Sequence, residues 1–200
     1  MDVLLRAGLL DGLEVVVAGA PAPHDAVAAE VARGCRELGA GTHRCLVRGG
    51  ELVDAPPAVS ALRALVCDGA GLFAAGLAAA EGADGGGGLA ALRACVDGTW
   101  EAVSAVVAPG LAEEGAAPGR VLLIAPPPGG EAEREGARAA LVNLARTLSI
   151  EWARHGVTSV SIAPGGDTAP GALATLCAYL ASDAGAYHSG CELDLRGPRA

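Results

Sequence analysis

Residues 119–166 read GRVLLIAPPPGGEAEREGARAALVNLARTLSIEWARHGVTSVSIAPGG. Val121 to Ala125 is a short apolar run, the pattern of a buried strand. Ala137 to Arg154 has a helical pattern, with Leu141, Leu144, Leu148 and Trp152 recurring every three or four residues. Gly156 stops that helix. Val157 to Ala163 is a second apolar strand, ended by Pro164-Gly165. Strand, helix and strand in this length make a βαβ unit, so the two strands are expected side by side and parallel, with a right-handed crossover.

Working outward, the same alternation recurs. Glu14 to Ala18 reads as the first strand, Asp25 to Leu38 as a helix with Val27, Val31 and Leu38 on one side, and Thr42 to Val47 as the second strand. Glu51 to Ala55 is a short third strand. Pro56-Pro57 then breaks the chain before a fourth strand at Ala61 to Val66. EGADGGGG at residues 81–88 is a flexible, low-complexity loop. Leu89 to Leu111 is helical, with Pro109 and Gly110 at its end. Ala172 to Leu180 is the last helix and Cys191 to Leu195 the last strand. No repeat interrupts the series, so residues 1–200 read as one α/β domain.

Composition narrows the function classes. The hydrophobic fraction is 52% but aromatics are only 2%, so Ala, Val and Leu must build the core. The net charge of -9 and the scatter of the 14 basic residues argue against nucleic acid and anionic membrane as partners. The six cysteines form no C-x-x-C pair and no paired Cys/His spacing, so they read as reduced, mostly buried thiols rather than a metal site. The start, MDVLLRAGLLDG, has neither a basic segment nor a long apolar one, and the Gly69 to Ala80 run is too short to span a bilayer. A cytoplasmic location is the expectation.

Several local stretches resemble the short-chain dehydrogenase/reductase (SDR) family. Leu10-Asp11-Gly12 and the strand after it resemble the family's opening. Asp68-Gly69-Ala70-Gly71 stands where the family has Asn-Asn-Ala-Gly, and Val96-Asp97-Gly98-Thr99-Trp100 resembles its "Asn-x-x-Gly-Thr-Phe" segment. Tyr179-Leu180-Ala181-Ser182-Asp183 and Tyr187-His188-Ser189-Gly190 resemble its closing helix and turn. The resemblance implies a Rossmann-like, doubly wound, mostly parallel sheet, with the third helix and the substrate lid shortened or deleted.

The same resemblance locates the positions that carry chemistry in the family. Ala137-Arg138-Ala139-Ala140-Leu141 matches its "Ser-Lys-Ala-Ala-Leu" register. The catalytic Lys then falls on Arg138, the Tyr on Arg134, the Ser on Ala125 or Pro126, and the helix Asn near Cys95. SDR chemistry needs a phenol whose pKa is lowered by a nearby cation. A guanidinium does not deprotonate in proteins, and no Tyr lies between Met1 and Ala178. The phosphate loop keeps only Gly19; Pro23 removes an N–H, and Asp25 puts a carboxylate where an anion would bind, able to cap the helix itself. Glu131, Glu133 and Glu135 read as a solvated helix start. His24, His43, His155 and His188 are scattered.

The expectation is a catalytically inactive SDR-like subunit that assembles with, and stabilises or modulates, an active SDR homologue. The alternatives are an atypical SDR-derived enzyme, either an NADP-dependent oxidoreductase or a non-redox cyclase or isomerase, and a ligand-binding regulator. No cofactor is expected; NADP or NAD enters only under the enzyme alternative. The family assembles through its long central helices, so Trp100, Val103 and Val107 on one helix and Leu141, Leu148 and Trp152 on the next are expected at a contact with a homologue or a second copy. Arg196 and Pro198 depart from the family's terminal "Val-Asp-Gly-Gly", a change in the partner surface.

Overall fold

The computed structural model describes residues 5–55, 61–80, 87–111 and 118–197. In chain order the elements are β1 (Glu14–Gly19), α1 (Ala26–Glu37), β2 (Gly41–Arg48), β3 (Glu51–Asp54), β4 (Leu62–Asp68), α2 (Gly69–Ala79), α3 (Gly87–Val106), β5 (Arg120–Ile124), α4 (Ala132–Glu151), β6 (Thr158–Ala163), α5 (Pro170–Ala181) and β7 (Cys191–Asp194). The sheet has seven strands in the order β3-β2-β1-β4-β5-β6-β7. Every pairing is parallel except β2 with β3. The architecture is Rossmann-like, with helices on both faces.

Strands covered on both faces read as near-continuous apolar runs, and β4 and β5 do so because they lie in the middle of the sheet. Side chains alternate between faces along each strand. Val16, Leu65 and Leu123 therefore join α2, α3 and α4 in one core. Val15, Val66 and Ile162 join α1 and α5 in the other.

The third strand departs from the parallel pattern for a local reason. Gly49 and Gly50 both take positive φ, 61° and 91°, and turn the chain back as a two-residue hairpin. A parallel neighbour would need a crossover of about a dozen residues. Only Gly49 and Gly50 separate β2 from β3, so no crossover helix fits between them. Most of the segment between Asp54 and Leu62, where a shortened third helix is expected, lies outside the described residues. The expected break at Pro56-Pro57 lies outside the described residues.

Helix α2 has no counterpart in the sequence reading. Its Gly- and Ala-rich stretch carries little periodicity, yet it buries Leu72 and Phe73. Gly76 is required there: a Cβ would stand 2.7 Å from the Ala94 Cβ and 2.8 Å from the Ala91 Cα, so only glycine lets α2 lie this close to α3. Gly87 and Gly88 belong to α3 rather than to a loop. The end of α3 runs into a π-helical turn over Val107–Leu111, where Pro109 has no N–H to continue an α ladder. Helix α4 starts at Ala132, five residues before the expected Ala137, so Arg134 lies within its first turn. It ends at Glu151, followed by a short 3-10 turn at Ala153–His155 that Gly156 closes with φ 70°.

Four of the expected contact residues are corrected by their burial. Val103, Val107, Leu141 and Leu148 face the chain's own sheet and lie fully inside its core. Trp152 packs partly buried against that core. Trp100 alone of the six stands out, 49% exposed on α3.

Candidate functional site

The carboxyl ends of β1, β4, β5 and β6 open toward one edge of the sheet, where open α/β sheets hold their ligands. Two groups of residues meet at this edge.

The first group surrounds the start of α1. Gly19 ends β1, and a Cβ there would come within 3.1 Å of the Ala28 Cβ and 3.3 Å of the Asp68 Cβ. Asp25 sits at the N-cap but its side chain makes no capping hydrogen bond. This corrects the expected self-cap: the Asp25 carboxylate instead faces Arg44 at 3.7 Å. The α1 N-terminus is served from a neighbouring strand. Asp68, the last residue of β4, accepts from the Ala28 backbone N–H at 3.1 Å through Oδ2 and from the Gly71 N–H at 2.9 Å through Oδ1. One buried carboxylate thus joins the first turns of α1 and α2, the position that helix dipoles favour for an anion. Burial pushes the Asp68 carboxyl up to about 6, while the Gly71 and Ala28 N–H bonds pull the other way. Gly71 lies so close under the loop that a Cβ would collide with the His24 carbonyl.

The second group lies at the ends of β5 and β6. The buried Arg138 guanidinium donates through Nη1 to the Pro126 carbonyl and, at 3.2 Å, to the Pro164 carbonyl. It thereby ties together the exits of two adjacent strands. Burial weakens its hold on its proton, and Glu135, with Oε2 3.8 Å from Nε, works against that. Arg134 turns away from Arg138. Its guanidinium lies 4.8 Å from the centre of the Phe73 ring, and its Nε donates to Glu131 at 2.9 Å. Cys95 lies beneath, 3.2 Å from where a Gly69 Cβ would stand, and burial pushes its thiol up to about 12. A thiol with that pKa is not a nucleophile at neutral pH.

The structure therefore brings Pro126 and Arg138 into direct contact, while Cys95 lies beside Gly69 and Arg134 is engaged with Phe73 and Glu131. At the same edge Asp68, whose carboxyl burial pushes up to about 6, is a group that can exchange a proton near neutral pH. The sequence reading placed Asp68 in a family motif but missed its bonds to Ala28 and Gly71, and it missed Phe73. Asp68 was visible as an Asx residue at the end of an apolar run just before Gly-Ala-Gly, the pattern of an N-cap. Among the described residues no cluster of His, Cys, Asp and Glu could hold a metal, and no helix is long and apolar enough to cross a membrane.

This sheet order, with helices on both faces and the crevice at the carboxyl ends, is the fold of the short-chain dehydrogenases/reductases. The chain is similar over nearly its full length to solved members of that group. A putative 2-deoxy-D-gluconate 3-dehydrogenase from Agrobacterium tumefaciens, with bound NADP, is 17% identical; the match covers 96% of this chain and 98% of that one, with a TM-score of 0.72. A citronellol catabolism dehydrogenase from Pseudomonas aeruginosa is 16% identical, with 98% of each chain covered and a TM-score of 0.71. A short chain dehydrogenase from Mycobacterium smegmatis is 16% identical, with 98% of this chain and 97% of that one covered and a TM-score of 0.71. No protein-family model matches the chain, and no curated protein does.

Proposed function

We propose that this chain is a non-catalytic SDR-type subunit that binds an active SDR homologue and stabilises it or shapes its site. The observation that carries the reading is Asp68. Its Oδ2 takes the Ala28 N–H at the start of α1, where a dinucleotide's pyrophosphate would need that donor. Asp25 adds a second carboxylate beside it, and Pro23 withholds an N–H. These residues do not fit a dinucleotide. Arg138, in the register of the family's lysine, is engaged with two carbonyls and has no phenol to tune.

What remains for such a chain is its surface. Helices α3 and α4 pack together over the sheet. Their outward sides carry Leu89 and Trp100 on α3 and Ile150 on α4, the last 75% exposed. Trp is favoured at protein interfaces because it buries a large apolar area with few rotamers to order. The chain should therefore be co-expressed with the SDR genes beside its own and captured by a tag on this subunit. Co-purification of one homologue in fixed stoichiometry, with a change in its NADPH turnover, is the expected result. Recovery of this chain alone in every pairing contradicts the reading.

A further inference from the structure

The charges around the exposed Leu89, Trp100 and Ile150 are laid out unevenly. On α3, Asp97 stands one turn before Trp100, and Glu101 one turn after Asp97; all three are exposed. Arg93, a turn nearer Leu89, is the one base on that helix. The end of α4 is basic instead. Arg146 precedes Ile150 by one turn, and Arg154 follows it in the 3-10 turn, with Glu151 the one acid beside them.

Among the described residues none of these six charged groups takes part in an ion pair. Arg93 and Asp97 are spaced to pair along the helix, yet do not. Asp97 and Glu101 are like charges four residues apart, which destabilises a helix. A cation brought opposite them relieves a repulsion that the free chain carries. The face therefore asks for a partner with bases opposite α3 around Trp100 and acids opposite Arg146 at the end of α4.

Two kinds of chain could meet that demand. A second copy offers both ridges, but each copy carries a net charge of -9, and that repulsion opposes their approach. A less acidic chain meets no such barrier. We propose that α3 and α4 dock an SDR homologue whose facing helices carry Lys or Arg opposite Asp97 and Glu101 and an apolar pocket for Trp100. This rests on the reading above and adds the chemistry of the partner's surface. Trp100 is the apolar anchor, and the charges at its rim select the partner and fix the register.

The test uses the full chain and the neighbouring SDR that co-purifies with it, titrated by calorimetry at roughly 50 and 500 mM NaCl. The wild-type complex should weaken about tenfold or more at the higher salt, because exposed charge pairs are screened. Asp97→Lys with Glu101→Lys should weaken it about tenfold or more at the lower salt. Glu37→Lys with Asp167→Lys makes the same change in net charge on α1 and after β6, and should leave binding unchanged. All four positions are exposed, and circular dichroism checks that the variants fold. Equal affinity of wild type and the α3 double variant overturns this inference and leaves the subunit reading standing. Self-association of wild type as tight as the mixed complex overturns the homologue in favour of a second copy. If no homologue co-purifies, both readings fall.

Discussion

Asp68 holds the backbone N–H of Ala28, forty residues away in sequence, at 3.1 Å, and so closes the first turn of α1 from a different strand of the sheet. The same carboxylate holds the Gly71 N–H at 2.9 Å. One buried side chain thus ties the first turns of α1 and α2 together.

That arrangement makes a pH prediction. Burial raises the folded-state pKa of Asp68 to about 6, above the ordinary carboxylate value of about 3.9. The native state then binds the proton more tightly than the unfolded state, so this group's contribution is most favourable below pH ~4 and is lost as pH rises through ~6. The size is about 3 kcal/mol. Urea unfolding from pH 4 to pH 7 should show this fall in wild type relative to Asp68→Asn, whose side chain does not titrate. Asp194, Glu30 and Glu131 are held low by their arginine partners and act in the opposite direction. They are common to both proteins and cancel in the difference. A difference that does not change with pH contradicts the reading.

Arg138 supplies the second prediction. Arg138→Met keeps much of the stem but leaves the Pro126 and Pro164 carbonyls without their donor. Loss of charge-assisted hydrogen bonds to two buried acceptors should cost about 2–4 kcal/mol in urea unfolding. Arg138→Lys should recover only part of this, since one ammonium lacks the planar fork. Wild-type stability in Arg138→Met would show that the strand exits hold without the guanidinium.

The dinucleotide reading is tested by titrating NADH and NADPH calorimetrically. The carboxylates of Asp68 and Asp25 repel a pyrophosphate, so no saturable heat is expected at low micromolar concentration. Tight binding of either cofactor contradicts the reading that these residues do not fit a dinucleotide.

Restoring one residue should not restore a reductase. Arg134→Tyr places a phenol in the family's register, but Arg134 points to Phe73 rather than to Arg138. The hydroxyl at position 125 or 126 and the phosphate loop are still missing, and catalytic groups that act as a unit fail together. Turnover of a ketone with NADPH by Arg134→Tyr counts against the account.

The sequence made the central strands legible because β1, β4 and β5 are buried on both faces and read as near-continuous apolar runs. Leu141, Leu144 and Leu148 likewise announced α4. Helix α2 stayed hidden because Gly69, Gly71 and Gly76 are chosen for close backbone approach, which dilutes the periodicity that marks a helix. The antiparallel β3 was written in Gly49-Gly50, a pair that permits positive φ at both positions. At the site, the residue types at Ala125, Pro126 and Arg134 could be read directly. The roles of Asp68 and Arg138 could not, since both depend on contacts with residues far away in the chain. The contact surface was misread where apolar residues served the chain's own sheet: Val103 and Leu148 look alike in sequence whether they face a sheet or a partner.

The central claim is that the surface of α3 and α4 joins this chain to an active homologue. It is tested most directly by light scattering on the chain co-expressed with each neighbouring SDR, comparing wild type with Trp100→Glu. Trp100 is 49% exposed, so the substitution should leave the far-ultraviolet circular dichroism unchanged. The account predicts a complex larger than either chain in wild type, and a fall to the separate masses in Trp100→Glu. A wild-type chain that stays monomeric alone and with every neighbouring SDR contradicts it.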